Sequence, residues 1–216
     1  PDATRFSFDS LLTGGRVTLT ESLGHQPEGI RSAALRAGIK YADKLDFMVV
    51  TLPKPGPAVG VFTRNRSCSP AVLLDRQHLA DGEAQTLVVI SKNANVFTPS
   101  AMDDTRAIVN DVAKRLGVRD VDVITSMTGV IGVALPMDKI HAAIKRLPDE
   151  LREGLVPEVA SAILTTDRGP KVASARFGDV VLCGMAKGAG MIEPNMATML
   201  VYFFTNLNVP ADRLSA

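Results

Sequence analysis

Apolar residues follow two rhythms along this chain. Short continuous runs alternate with stretches where they recur every three or four positions, the spacings of buried strands and of amphipathic helices. Asp46-Phe47-Met48-Val49-Val50-Thr51-Leu52 is a strand candidate, ended by Pro53-Lys54-Pro55-Gly56-Pro57, a segment that cannot continue a ladder. Val59–Thr63 and Ala71–Leu74 read as further strands around a turn, and Thr86–Ser91 as a strand of the buried type. Ile108, Val109, Val112, Ala113 and Leu116 then share one helical face. Asp103 and Asp104 favour that helix's N-terminus, and Gly117 stops it. Val121–Thr125 is the next strand. A helix after Pro136 carries Met137, Ile140, Ile144 and Leu147 in one stripe, and Leu151, Leu155, Val159 and Ile163 predict a third. Asp179–Cys183 and Met199–Phe204 close the strand set, the latter apolar enough to be covered on both faces.

Strands and helices mix without a clean βαβ alternation, which predicts α/β layers with much antiparallel pairing in one domain. Residues 1–29 are polar and Gly-rich, a loose lead-in, with order expected from about Ile30. Near the other end, Asn208 or Val209 would cap a helix with Pro210 in its first turn. That helix breaks off at Ala216 after little more than a turn, so the chain reads as cut from something longer.

Composition narrows the function classes. With 46% hydrophobic and 22% charged residues the chain is an ordinary soluble globular sequence. Its 24 basic and 23 acidic residues give a net charge of +1, and hence no electrostatic reason to expect nucleic acid or an anionic membrane as partner. Cys68 and Cys183 cannot build a disulfide framework. His25, His78 and His141 are scattered, and neither residue type has a metal-ligand spacing, so no metal is expected. Neither a signal peptide nor a spanning apolar run is present in the sequence, and the expected setting is cytoplasmic.

Chemistry concentrates in residues 184–204. Gly184, Gly188 and Gly190 bracket Lys187 and allow unusual dihedrals and close approach to a ligand, while Pro194 stiffens the approach to Thr198. Thr198 stands at the mouth of the apolar run. A hydroxyl there is well placed to be a rigidly held nucleophile, although spacing alone favours a glycine turn and a plain β-branched strand residue. The order of Gly and Lys matches neither G-x-x-x-x-G-K-[ST] nor a helix-opening G-x-G-x-x-G.

Lys187-Gly188-Ala189-Gly190-Met191-Ile192-Glu193-Pro194-Asn195-Met196-Ala197-Thr198-Met199-Leu200 resembles the signature of the ornithine acetyltransferase (glutamate N-acetyltransferase) family. Other segments resemble it in the family's order: Gly38-Ile39-Lys40 with Leu45-Asp46, Val61–Asn65 with Ser69–Val72, Asn93-Ala94-Asn95, Thr128–Gly132 with Leu135-Pro136-Met137, and Ala162–Asp167. The resemblance runs from about Ile30 to the end. It implies a layered α/β sandwich with mixed, largely antiparallel sheets. It also implies a precursor that cuts itself at Ala197–Thr198, making 30–197 the α-subunit portion and 198–216 the start of a β-subunit portion.

On that resemblance Thr198 is the nucleophile, activated by its own freed α-amine, whose ordinary pKa is about 8. Thr128 and Gly129 form the oxyanion hole, where Gly129 could otherwise simply permit a bend. Lys187 holds a substrate carboxylate, its alternative being a solvated loop lysine, and Thr165, in preference to Thr166, donates to the bound amino acid. Asn93 and Asn95 read as turn caps. The implied reaction moves an acetyl group from N-acetylornithine or a related N-acyl amino acid to glutamate, and the resemblance implies no metal and no bound cofactor for it. Partners are the β subunit and, by expectation, an α2β2 heterotetramer. An N-terminal-threonine amidohydrolase or peptidase, and a non-catalytic member keeping the fold, are the rivals. The chain departs from the family pattern at Lys92, where glycine is usual, at Met127, where serine is common, and at Asn206, where aspartate is usual. Such departures suggest a divergent branch.

Overall fold

Phe47, Met48, Val49 and Val50 send their side chains alternately to two hydrophobic cores, and this period-two alternation organises the molecule. Phe47 and Val49 join one core, Met48 and Val50 the other, and all four are at most 1% exposed. The computed structural model describes residues 18–188, 199–207 and 209–214.

Nine strands are described: β1 (Thr18–Thr20), β2 (Arg31–Leu35), β3 (Phe47–Pro57), β4 (Glu83–Asn93), β5 (Val123–Val130), β6 (Arg152–Glu153), β7 (Lys171–Phe177), β8 (Val180–Lys187) and β9 (Leu200–Thr205). They form a five-stranded sheet in the order β5-β4-β3-β2-β6 and a four-stranded sheet in the order β1-β7-β8-β9. Among the described pairs only β4–β5 is parallel. Helices α1 (Pro70–His78), α2 (Ala101–Leu116) and α3 (Met137–Glu150) cover one face of the larger sheet. The short helix α4 (Glu158–Ala162) packs against the other face and also reaches β8 of the second sheet. A helical turn, α5 (Ala211–Leu214), follows β9. Mixed, largely antiparallel sheets in α/β layers are thus as expected.

Several elements differ from the sequence reading. Ala71–Leu74 lies in helix α1, because Ser69 accepts the Ala71 N–H at 3.4 Å and Pro70 occupies the first turn, a start signal that outweighs the apolar run. Val59–Thr63 forms no strand, and Val61 is 79% exposed. Strand β3 continues through its prolines to Pro57, since the register breaks between Thr51 and Gly56 and no ladder bond is asked of Pro53 or Pro55. Gln85 Nε2 reaches the Leu52 carbonyl there at 3.1 Å. The apolar i+4 series from Leu151 is helical only over Glu158–Ala162, because Gly154 adopts φ +78° and Pro157 restarts the chain. Order also begins before Ile30, since β1 pairs with β7. Finally, β9 alternates half-buried and exposed residues rather than being covered on both faces.

Candidate active site

The parallel pairing makes β4 and β5 finish side by side, and their last residues face the end of β8 and the loop after α4. Thr128, 2% exposed, lies near the end of β5. Lys187, 3% exposed, ends β8 and donates from Nζ to Thr128 Oγ1 at 3.1 Å. Two motif segments that are distant in sequence therefore meet through one hydrogen bond. Because its hydroxyl oxygen accepts from an ammonium, Thr128 keeps its own proton for another acceptor.

Gly129 is opposite Lys92 in the ladder and adopts φ +139°. A Cβ there would lie 2.2 Å from the Lys92 carbonyl carbon and 2.5 Å from the Asn93 nitrogen, so only glycine fits. Beyond it, Asn93 and Asn95 are buried tethers as well as turn formers. Asn93 Nδ2 donates to the Val133 carbonyl at 2.9 Å, and Asn95 Nδ2 to the Ala101 carbonyl at 2.8 Å.

Asp167 organises the other side. Its Oδ1 accepts from the Gly188 N–H at 2.9 Å and from Lys171 Nζ at 2.6 Å. Burial pushes the Lys187 ammonium below the usual lysine range, Asp167 opposes that shift, and Lys92 and Lys171 reinforce it. Thr165 is half-buried and Thr166 is exposed in the segment leading to Asp167. Thr165 is linked to the cluster through its chain neighbours, since the Leu164 carbonyl accepts from Lys92 Nζ.

Lys92 and Asp46 complete the constellation, and neither was assigned a role from sequence. Lys92 is a non-glycine residue at φ +77°, a conformation that costs an L-residue roughly 1–2 kcal/mol. Asp46 is fully buried and takes the Ala37 and Ile39 N–H groups at 2.7 Å each. Burial raises its pKa, while those N–H groups and Lys92 oppose the rise. Burial likewise lowers the pKa of Lys92, and Asp46 opposes it. A polar residue directly before an apolar run was the available signal for Asp46. Asp167 had only its place in the family-like Ala162–Asp167 segment. Ala197 and Thr198 lie outside the described residues, but the strand after them is in register with the site: Leu200 pairs with Lys187.

The histidines are engaged elsewhere, His78 with the Val123 carbonyl at 2.7 Å and His141 with Asp111. Cys183 is buried, which pushes its thiol up to about 11 and leaves it a poor nucleophile. Among the described residues no helix is long and apolar enough to cross a membrane.

The arginine biosynthesis bifunctional protein ArgJ 2 of Nostoc sp. is 38% identical over 189 residues, which are 87% of this chain and 49% of the relative. Glutamate N-acetyltransferase Oat2 of Streptomyces clavuligerus is 36% identical over 197 residues, 90% of this chain and 50% of that protein. The chain spans about half the length of the curated relatives it matches. Among solved structures, ornithine acetyltransferase of Mycobacterium tuberculosis, crystallised with ornithine, superposes with a TM-score of 0.76 at 35% identity, over 84% of this chain and 100% of that one. The ArgJ family profile matches residues 31–216, nearly the whole of the described fold, and the chain belongs to the ArgJ family.

Proposed function

We propose that this chain is the α portion, with the first residues of the β portion, of an acyltransferase that moves an acetyl group from N-acetylornithine to glutamate. Thr198 carries the acyl group after cleavage at Ala197–Thr198. The observation that carries this reading is the Lys187–Thr128 hydrogen bond beside the Lys187–Leu200 strand pairing. It joins the Thr128-Gly129 segment to a strand that begins two residues after Thr198. The lengths of the relatives agree with a divided chain. This protein covers the solved mycobacterial chain completely but only half of each curated relative.

In cleavage, Thr198 Oγ attacks the Ala197 carbonyl, the acyl group shifts from nitrogen to oxygen, and water hydrolyses the ester. The products are a carboxylate on Ala197 and a free amine on Thr198. In turnover that amine takes the hydroxyl proton as Oγ attacks the acetyl carbonyl of N-acetylornithine. Thr128 Oγ1–H and the Gly129 N–H supply donors to the tetrahedral oxyanion; one such donor contributes about 10²–10³ in rate. Collapse returns the proton to the departing ornithine amine, and the glutamate amine then takes the acetyl group from Thr198. Lys187 donates to the substrate carboxylate, its three N–H bonds allowing this beside the bond to Thr128. Thr165 donates to the bound amino acid. The assembly is α2β2, and the setting cytoplasmic.

Intact-mass measurement of the full-length protein and its Thr198→Ala variant tests the reading. Two fragments divided at Ala197–Thr198 in the first, and one uncut species in the second, are expected. One uncut species in both rejects it. Product analysis separates the hydrolase rival, which releases acetate from N-acetylornithine whether or not glutamate is present.

A further inference from the structure

Lys92 sits where the backbone least suits a side chain, at φ +77° and packed against Gly129. The structure does not need its bond to the Leu164 carbonyl to hold β4 against the end of α4. Ser91 Oγ already donates to the Ala162 carbonyl at 2.6 Å. Nor does Asp46 depend on it, since both its oxygens accept backbone N–H groups at 2.7 Å. What a lysine adds here is a second cation. Its backbone pairs with Gly129, the neighbour of the Thr128 hydroxyl that Lys187 bonds, and its ammonium is held at the residue before Thr165. An ammonium has three donors, and the Leu164 carbonyl takes one, which leaves two for a ligand. An anion received between Lys92 and Lys187 would meet an ammonium donor on either side.

We propose that Lys92 is a specificity-determining residue that takes the side-chain carboxylate of a dicarboxylic amino acid while Lys187 holds its α-carboxylate. This rests on the acyltransfer reading for the identity of the substrates. It favours glutamate over N-acetylornithine, whose side chain ends in an ammonium that Lys92 repels. The strain at Lys92 is then retained because the cation selects the acceptor.

Calorimetric binding of glutamate and of ornithine, which carries the same side-chain ammonium but no acetyl group to transfer, to the full-length protein, alongside Lys92→Gln, Lys92→Arg and Lys92→Gly, tests this. Lys92→Gln is expected to weaken glutamate binding about tenfold, the loss of one charge-assisted bond, with ornithine unchanged or tighter. Lys92→Arg should keep glutamate binding within a few-fold. Lys92→Gly should melt no lower than the parent, because glycine suits the backbone. An unchanged ratio of the two affinities in Lys92→Gln overturns the proposal, and a lowered melting temperature with that unchanged ratio assigns Lys92 to tethering alone. Binding is read apart from turnover. A protein that binds glutamate through Lys92 but transfers no acetyl group therefore refutes the acyltransfer reading and not this one.

Discussion

The two sheets solve the same problem differently. The central strands of the five-stranded sheet have helices on one face and α4 with the second sheet on the other, so Val88, Val89 and Ile90 are all fully buried. In the four-stranded sheet one face carries Cys183 and Met185 into the shared core. The opposite face leaves Leu182 43%, Val201 40% and Phe203 69% exposed, with the Phe203 ring lying over Gly184. Equally apolar strands can thus sit in quite different environments. Composition alone reports that a strand is apolar, and the layer order decides how much of it is dry. The polar cluster lies where the two sheets converge, and each contributes one member of the Lys187–Thr128 pair.

Matched truncations measure that contrast. Phe47→Ala, in the doubly covered sheet, should lower unfolding free energy by about 3–5 kcal/mol in urea titration. Gly129→Ala, at the convergence, forces the β4 and β5 backbones apart and should cost at least about 2 kcal/mol by the same titration. Asp75 sharpens the picture at the edge of β5, where it accepts the Thr125 N–H at 2.8 Å. Burial pushes its pKa from 3.8 to about 8, so the folded protein holds a proton that the unfolded chain releases. Stability then falls as pH rises from about 4 to about 8 and levels off above. Asp75→Asn keeps the acceptor without the charge. It should match the parent near pH 4 and exceed it by about 5 kcal/mol at pH 8, read from denaturation at several pH values. Phe203→Ala should change stability by less than about 1 kcal/mol. Equal costs for the two phenylalanines would break the comparison.

The elements legible in the sequence were those whose rhythm and punctuation agreed. In α2, Ile108, Val109, Val112 and Ala113 are buried and Gly117 caps the helix at φ +70°. In β4 a continuous apolar run is dry on both faces. Misreadings arose where a short apolar run met a stronger local signal, as Ser69-Pro70 did in turning Ala71–Leu74 into a helix. Of the site, Lys187 and Thr128 were found through motif resemblance, and the fold brings them into contact. Asp46, Lys92 and Asp167 were missed because their importance is tertiary. Each matters through what packs around it, and a buried charge leaves no periodic trace in sequence.

Because β4 and β5 run parallel, they can meet only after α2 has crossed over, and the stretch from Asn93 to Val123 must close as one long loop. Thr128 and Lys187 therefore come together late in folding, after the slow long-range closure rather than with the quick local helices. Their contact acts as a clock, forming only once both sheets and the crossover between them are in place.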